Sequence, residues 1–250
     1  MAALLELSYR RELEQIGFEL SYTNLKPQVF FLHIPKTSGT SMTNWLAQAM
    51  HFLSVTDLKR LATLGVDIIR STEALSFGHI SSDAALRLQV ISQVSLEKAF
   101  SFSIVRNPFD RALSLWRYLV ARGVIPRNIS LERFLLSVRE ENPRPGVRNV
   151  VGLSQASPQI SWIRTEEWRG PSRVFKLEDT SLMLSELSEA IGSKIPYPRL
   201  NQSVSPGRGL LSHRLSNGGV WSQRAIDQVL WIYEDDFAAF QYEAVFPDEG

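Results

Sequence analysis

Residues 29–42, VFFLHIPKTSGTSM, set an apolar run rich in aromatic residues directly against a lysine, four hydroxyl residues and a glycine. The first half has the composition of a short buried strand. Pro35 stiffens the exit, and Thr37-Ser38-Gly39-Thr40-Ser41 carries the small polar residues that open helices. The same design recurs in residues 100–119, FSFSIVRNPFDRALSLWRYL, where an apolar strand ends at Arg106 and Asn107-Pro108 starts a helix. Two strand-turn-helix units of this kind are building blocks of a parallel sheet.

Working outward, buried strands are expected at Gln28 to His33, Ala99 to Val105 and Arg173 to Leu177, with a weaker one at Ala74 to Gly78. Helical patterns cover 41–50, 109–121, 131–138, 181–191 and 223–242. In the second of these, Leu113, Trp116, Leu119 and Val120 share one stripe. Strands alternating with helices predict an α/β protein: a three-layer P-loop-like fold with a central parallel sheet flanked by helices and right-handed crossovers. Ligands in such sheets bind beyond the carboxyl ends of the strands. Three stretches rich in Pro, Arg, Asn and Gly, around 122–129, 139–159 and 194–219, read as long irregular connections.

A chain of 250 residues with 44% hydrophobic residues can bury one substantial core, so a single domain over 1–250 is expected, with residues 1–25 as an N-terminal helical extension. Lys+Arg 27 against Asp+Glu 26 leaves a formal net charge of +1, which gives no global field for nucleic acid; any anion site must be local. The absence of cysteine excludes disulfides and thiolate metal sites. No window reads as a signal peptide or a membrane span, which suggests a cytoplasmic, bacterial protein, an anchor lost upstream being left open.

In the opening loop, backbone N–H groups and hydroxyls can converge on one anion at a helix N-terminus, with Lys36 adding a mobile charge. The order is not that of an ATP- or GTP-binding loop, G-x-x-x-x-G-K-[ST], because Lys36 precedes Gly39 and no glycine of the loop precedes Lys36. Taken alone, the loop fits equally a turn whose hydroxyls merely cap the helix. The second motif favours the anion reading: Arg106 can fork onto a phosphate and Ser114 can add a hydroxyl donor. Arg111 reads instead as a structural charge or as one that supports the phosphate contacts from behind.

HIPKTSGTSM and VRNPFDRALSLW together resemble the 5'-phosphosulfate loop and the 3'-phosphate motif of sulfotransferases that use 3'-phosphoadenosine 5'-phosphosulfate (PAPS). The wording is most similar to the carbohydrate O-sulfotransferases, including the heparan sulfate 2-O and 6-O enzymes and their bacterial relatives. Weaker echoes are FGHIS at 77–81, SPQISWI at 157–163, VFKLED at 174–179, LNQS at 200–203 and IYEDDFAAFQY at 232–242. The resemblance implies that the single domain is a sulfotransferase domain that takes PAPS as cosubstrate, releases PAP and requires no metal. It also implies that Lys36 contacts the oxygen bridging sulfonate and 5'-phosphate. Thr37, Ser38, Gly39, Thr40 and Ser41 would cradle that phosphate, and Arg106 and Ser114 would hold the 3'-phosphate.

An acceptor hydroxyl needs a base, and among four histidines His79 matches the one that family members use. Some 2-O enzymes have His-x-His here, whereas this chain has Phe77 at the first position. His33 reads as structural, His51 as a surface residue and His213 as an alternative base. Arg208 is the candidate for a loop that folds over the 3'-phosphate in many sulfotransferases. Arg122, Arg127, Arg139, Arg144 and Arg148 could line a groove for an acidic glycan, although Glu140 and Glu141 interrupt them. Trp162 and Trp168 could stack on a sugar or belong to the core. EDDF at 234–237 reads as structural, with Phe237 buried and its acids exposed. The expected partner is a hydroxyl acceptor, with a glycan favoured by resemblance. The competing classes are a P-loop kinase or NTPase and a noncatalytic nucleotide- or glycan-binding module.

Overall fold

In a computed structural model of the chain, the residues described are 28–50, 52–54, 74–76, 81–82, 86, 92–139, 153, 155–165, 168–197 and 220–246; for 52–54 and 74–76 only the backbone course is described. The first strand, β1 (Val29–Leu32), has all four residues buried, as its apolar run requires. It is followed by α1 (Gly39–Ala49), β2 (Phe52–Ser54), β3 (Ala74–Ser76), α2 (Gln93–Lys98), β4 (Phe100–Val105), α3 (Pro108–Ala121) and α4 (Leu131–Arg139). Then come α5 (Ile160–Ile163), β5 (Arg173–Lys176), a 3-10 turn at Leu177–Asp179, α6 (Thr180–Ile191), α7 (Gln223–Ile232) and α8 (Glu234–Phe240).

The five strands form one sheet in the order β2-β3-β1-β4-β5, and every pairing is parallel. The chain runs from β1 outward to β2 on one side, then crosses to β4 and β5 on the other. The direction of winding therefore reverses between β1 and β4, the position at which open parallel sheets bind ligands beyond the strands' carboxyl ends. Those two strands are in register from Val29 opposite Phe100 to Leu32 opposite Ser103, and the Ser103 hydroxyl donates to the Leu32 carbonyl at 2.8 Å. The two motifs singled out in the sequence thus leave the sheet side by side.

Alternation along the strands divides the packing. Phe31, Phe102 and Ile104 meet Met42, Trp45 and Leu46 of α1 and Met183 and Leu187 of α6 in one core. On the other face Phe30, Leu32, Ser103 and Val105 are buried as well, so the sheet is covered on both sides. A second core joins α3, α4, α7 and α8 through Phe109, Leu115, Leu119, Phe134, Val229 and Phe237. Trp45 does more than fill space, because its Nε1–H donates to the Ile195 carbonyl at 2.8 Å and ties α1 to the chain beyond α6.

Two sequence expectations need correction. The strand at Phe52–Ser54 was not foreseen; three residues are too short to show a period. The closing helix expected over 223–242 is two helices, since Tyr233 leaves helical geometry at φ −114° and ψ 24°. The break turns Asp236 inward, so one acid of the EDDF segment is fully buried while Glu234 and Asp235 are exposed. Trp45→Ala should lower unfolding free energy by about 3–5 kcal/mol in denaturant titrations, whereas Trp45→Phe should retain most of it.

Candidate functional site

The loop between β1 and α1 is shaped by backbone conformations that side chains usually avoid. Lys36 and Ser38 both adopt positive φ, 70° and 69°. Such strain in a non-glycine residue is held only where surrounding contacts fix it. Thr37 between them supplies one such contact: it is fully buried, and its hydroxyl donates to the Ile34 carbonyl at 2.9 Å. Its share in any anion cradle is therefore its backbone N–H. Gly39 is required for space, because a Cβ there would collide with the His33 ring, which stacks on Phe31. His33 is thus a packing element of the loop, as its position suggested.

Ser38 occupies the N-cap position of α1 yet makes no capping bond; its hydroxyl lies 3.2 Å from the Tyr197 hydroxyl. Burial raises the Tyr197 phenol above its ordinary pKa, while hydrogen bonds with Ser38 and Ser41 oppose that rise. The reading of these hydroxyls as simple helix caps does not describe Ser38.

The turn after β4 is braced by side chains remote in sequence. The Arg106 N–H donates to Gln159 Oε1 and Gln159 Nε2 donates back to the Arg106 carbonyl, both at 2.9 Å. Asp236 accepts from the Gln159 backbone N–H (2.8 Å), from Gln159 Nε2 (3.3 Å) and from the Ile160 N–H (2.9 Å). Burial pushes the Asp236 carboxyl above its usual range, opposed by the Arg111 charge and these donors. On the other side, Glu178 accepts from the Asn107 N–H at 2.7 Å and from the Tyr242 hydroxyl at 2.8 Å. Asn107 in turn caps α3 by accepting from the Phe109 N–H at 2.9 Å. The residues fixing the turn thus come from the SPQISWI, VFKLED and IYEDDFAAFQY echoes.

Arg111 joins the two turns. It is buried, its Nε donates to the Pro35 carbonyl at 3.1 Å, and its other guanidinium arm reaches the Gln155 carbonyl at 2.9 Å. Of its two sequence readings, the structural one describes these contacts. Above it, the α3 face carries half-buried Ser114 and Tyr118, and Lys36 Nζ sits 4.0 Å from the centroid of the Tyr118 ring. Burial, followed by the charges of Arg106 and Arg122, holds the Lys36 ammonium below its ordinary pKa. Arg106 and Arg122 therefore lie within electrostatic reach of Lys36. Asp110 is the acid closest in sequence; burial raises its carboxyl to about 6, with Arg106 lowering it and Glu178 raising it.

His79, Arg208, His51, His213, Arg144 and Arg148 lie outside the described residues, as does the N-terminal extension expected at 1–25. Thr40 is exposed, and Ser41 and Gly39 are buried at the start of α1. Trp162 and Trp168 are buried and belong to the interior instead of to a sugar-stacking surface. Arg139 is 4.4 Å from the Trp231 ring centroid and bonds Gln228, so it covers α7. Sequence reading missed Gln159, Tyr118 and Tyr197; of these only Tyr118, four residues after Ser114, carried a usable signal of shared helix face. Among the described residues no group of acids and histidines is arranged to hold a metal, and no helix is long and apolar enough to cross a membrane.

The profile of the sulfotransferase family matches residues 22–243, and the chain belongs to that family. Comparison with curated protein sequences gives no match. Among solved structures the chain is similar to mouse sulfotransferase SULT7A1 complexed with PAP, at 16% identity and a TM-score of 0.44, over 72% of this chain and 64% of that one. It is also similar to a sulfotransferase from Alicyclobacillus acidocaldarius, at 16% identity and a TM-score of 0.38, over 86% of this chain and 98% of that one. The chain thus spans less than two thirds of the mouse protein.

Two consequences can be measured. Gln159→Ala should cost about 1–3 kcal/mol of stability in denaturant unfolding, because it leaves Arg106 backbone groups and the Asp236 carboxylate unsatisfied. Asp110, raised to about 6 in the folded protein, favours folding below its ordinary value of 3.8, and that contribution is lost as pH rises through 6. Between pH 5 and 7.5 the wild type should therefore lose more stability than Asp110→Asn.

Proposed function

We propose that this protein transfers a sulfuryl group from PAPS to an acceptor hydroxyl, with a carbohydrate as the favoured acceptor class. One observation carries the reading: two neighbouring parallel strands lead into turns that carry Lys36 and Arg106, and the Arg106 charge bears on Lys36. A lysine before the glycine suits a site centred on one phosphate with a sulfonate beyond it. The triphosphate of an NTPase would need a loop that wraps further.

The N-terminus of α1, with Gly39, Thr40 and Ser41 and the Thr37 and Ser38 backbone, holds the 5'-phosphate by N–H donors and the helix dipole. Arg106 and Ser114 hold the 3'-phosphate, with Arg106 aimed by the Gln159 and Glu178 brace. Arg208 closes over the same group. In the transfer step the acceptor oxygen bonds to sulfur as the bond from sulfur to the phosphate oxygen breaks. Lys36 stabilises the negative charge that grows on that leaving oxygen, where a preorganised charge has most effect. His79 accepts the proton of the attacking hydroxyl, which leaves a sulfate ester and PAP. The base role of His79 and the nucleotide role of Arg208 rest on resemblance to the family.

Calorimetry with PAP in the presence of a chelator should show binding, and Arg106→Ala should weaken it roughly ten- to hundredfold. His79→Ala should retain PAP binding while losing transfer of labelled sulfate to a panel of glycan acceptors. A preference for Mg-ATP over PAP would overturn the proposal, and full transfer by His79→Ala would remove the base assignment.

A further inference from the structure

The Lys36 ammonium rests on an aromatic face. Nζ lies 4.0 Å from the centroid of Tyr118, well inside the range in which a ring quadrupole attracts a cation. Arg122, one turn further along the same helix, has its guanidinium carbon 5.6 Å from the same centroid. The ring thus serves two cations that repel each other, and Lys36 is also repelled by Arg106.

The choice of an aromatic partner has a physical consequence. A carboxylate beside Lys36 would hold the ammonium more strongly, but it would cancel the charge and repel an incoming anion. A ring face offsets part of the desolvation cost while leaving the full positive charge available. Tyr118 is also set on a rigid element. It is half-buried on α3, the helix that begins at the arginine turn and carries Ser114, and Arg111 of that helix bonds the Pro35 carbonyl next to Lys36. The lysine backbone is fixed at φ 70° from one side, and its ammonium is met by the ring from the other.

We infer that Tyr118 is a positioning residue for Lys36, holding its ammonium charged and aimed into the anion site through the ring face. This rests on the proposed function only for its kinetic consequence; the contact itself can be tested without any turnover. Tyr118 has no assigned part in the proposed phosphate or acceptor contacts, and it acts through Lys36 alone. The groups that bear on Lys36 from α3 and its leading turn are Arg106 and Arg122, both cationic, so loss of the ring leaves repulsion and desolvation unopposed.

The test uses the full chain with its lysines reductively methylated with 13C-formaldehyde, and Lys36 assigned by its absence in Lys36→Arg. In Tyr118→Leu the Lys36 resonance should titrate lower than in wild type, by roughly half a pH unit or more. Tyr118→Phe, which keeps the ring and loses the hydroxyl, should restore the wild-type titration. With PAPS and an acceptor, Tyr118→Leu should lower kcat roughly two- to tenfold with little change in KM for PAPS, and Tyr118→Phe should recover it. An unchanged Lys36 titration in Tyr118→Leu overturns the inference, as does a Phe variant that behaves like Leu. Should Lys36 shift as expected while no acceptor is sulfated by wild type, the positioning role stands and the proposed reaction falls.

Discussion

The site depends on one buried amide. Gln159 bonds both backbone groups of Arg106, and the buried Asp236 holds Gln159 through its backbone N–H and its side-chain amide. An arginine at the end of a strand has a long, flexible side chain, so its reach is set by where its backbone is pinned. The pin here is satisfied on every side. Replacing a member with an apolar residue would leave polar groups without partners in a low-dielectric interior, where each is expensive. The chain therefore pins the Arg106 backbone through groups that lie more than fifty residues further along the sequence.

Around that brace the cations are arranged to remain cations. Lys36, Arg106 and Arg122 share a region, and Lys36 is held by a ring face in preference to a carboxylate. Burial, followed by repulsion from Arg106 and Arg122, lowers the Lys36 pKa. Arg111 performs a different service from the same helix. By joining the Pro35 and Gln155 carbonyls it keeps the lysine loop and the arginine turn from moving apart. Two motifs separated by about seventy residues of chain thereby behave as one unit.

Much of this was legible in the sequence, and the reasons are specific. Apolar runs at 29–32 and 100–105 became strands because they are buried on both faces, the edge strand at 173–176 buries only Phe175, and Asn107-Pro108 began α3 because their chemistry suits a helix start. What failed to show were features without a local period. β2 is three residues long, and α5 is four residues whose start is fixed by an acid from another helix. Tyr233 interrupts the last helix although nothing in 223–242 resembles a helix breaker. Trp162 and Trp168 admitted both a sugar-binding and a core reading, since composition does not say which way an indole points.

The sequence by itself determined the class of fold, because strand burial and helix starts are local properties written within a few positions. Tertiary structure alone decided which of the two arginines in the second motif meets solvent and which becomes a strut. It also decided that Thr37 turns its hydroxyl back to Ile34 and that Lys36 lies on Tyr118. Those outcomes depend on hydrogen bonds and ring contacts between residues far apart in the chain, and no local pattern encodes a partner that only folding brings near.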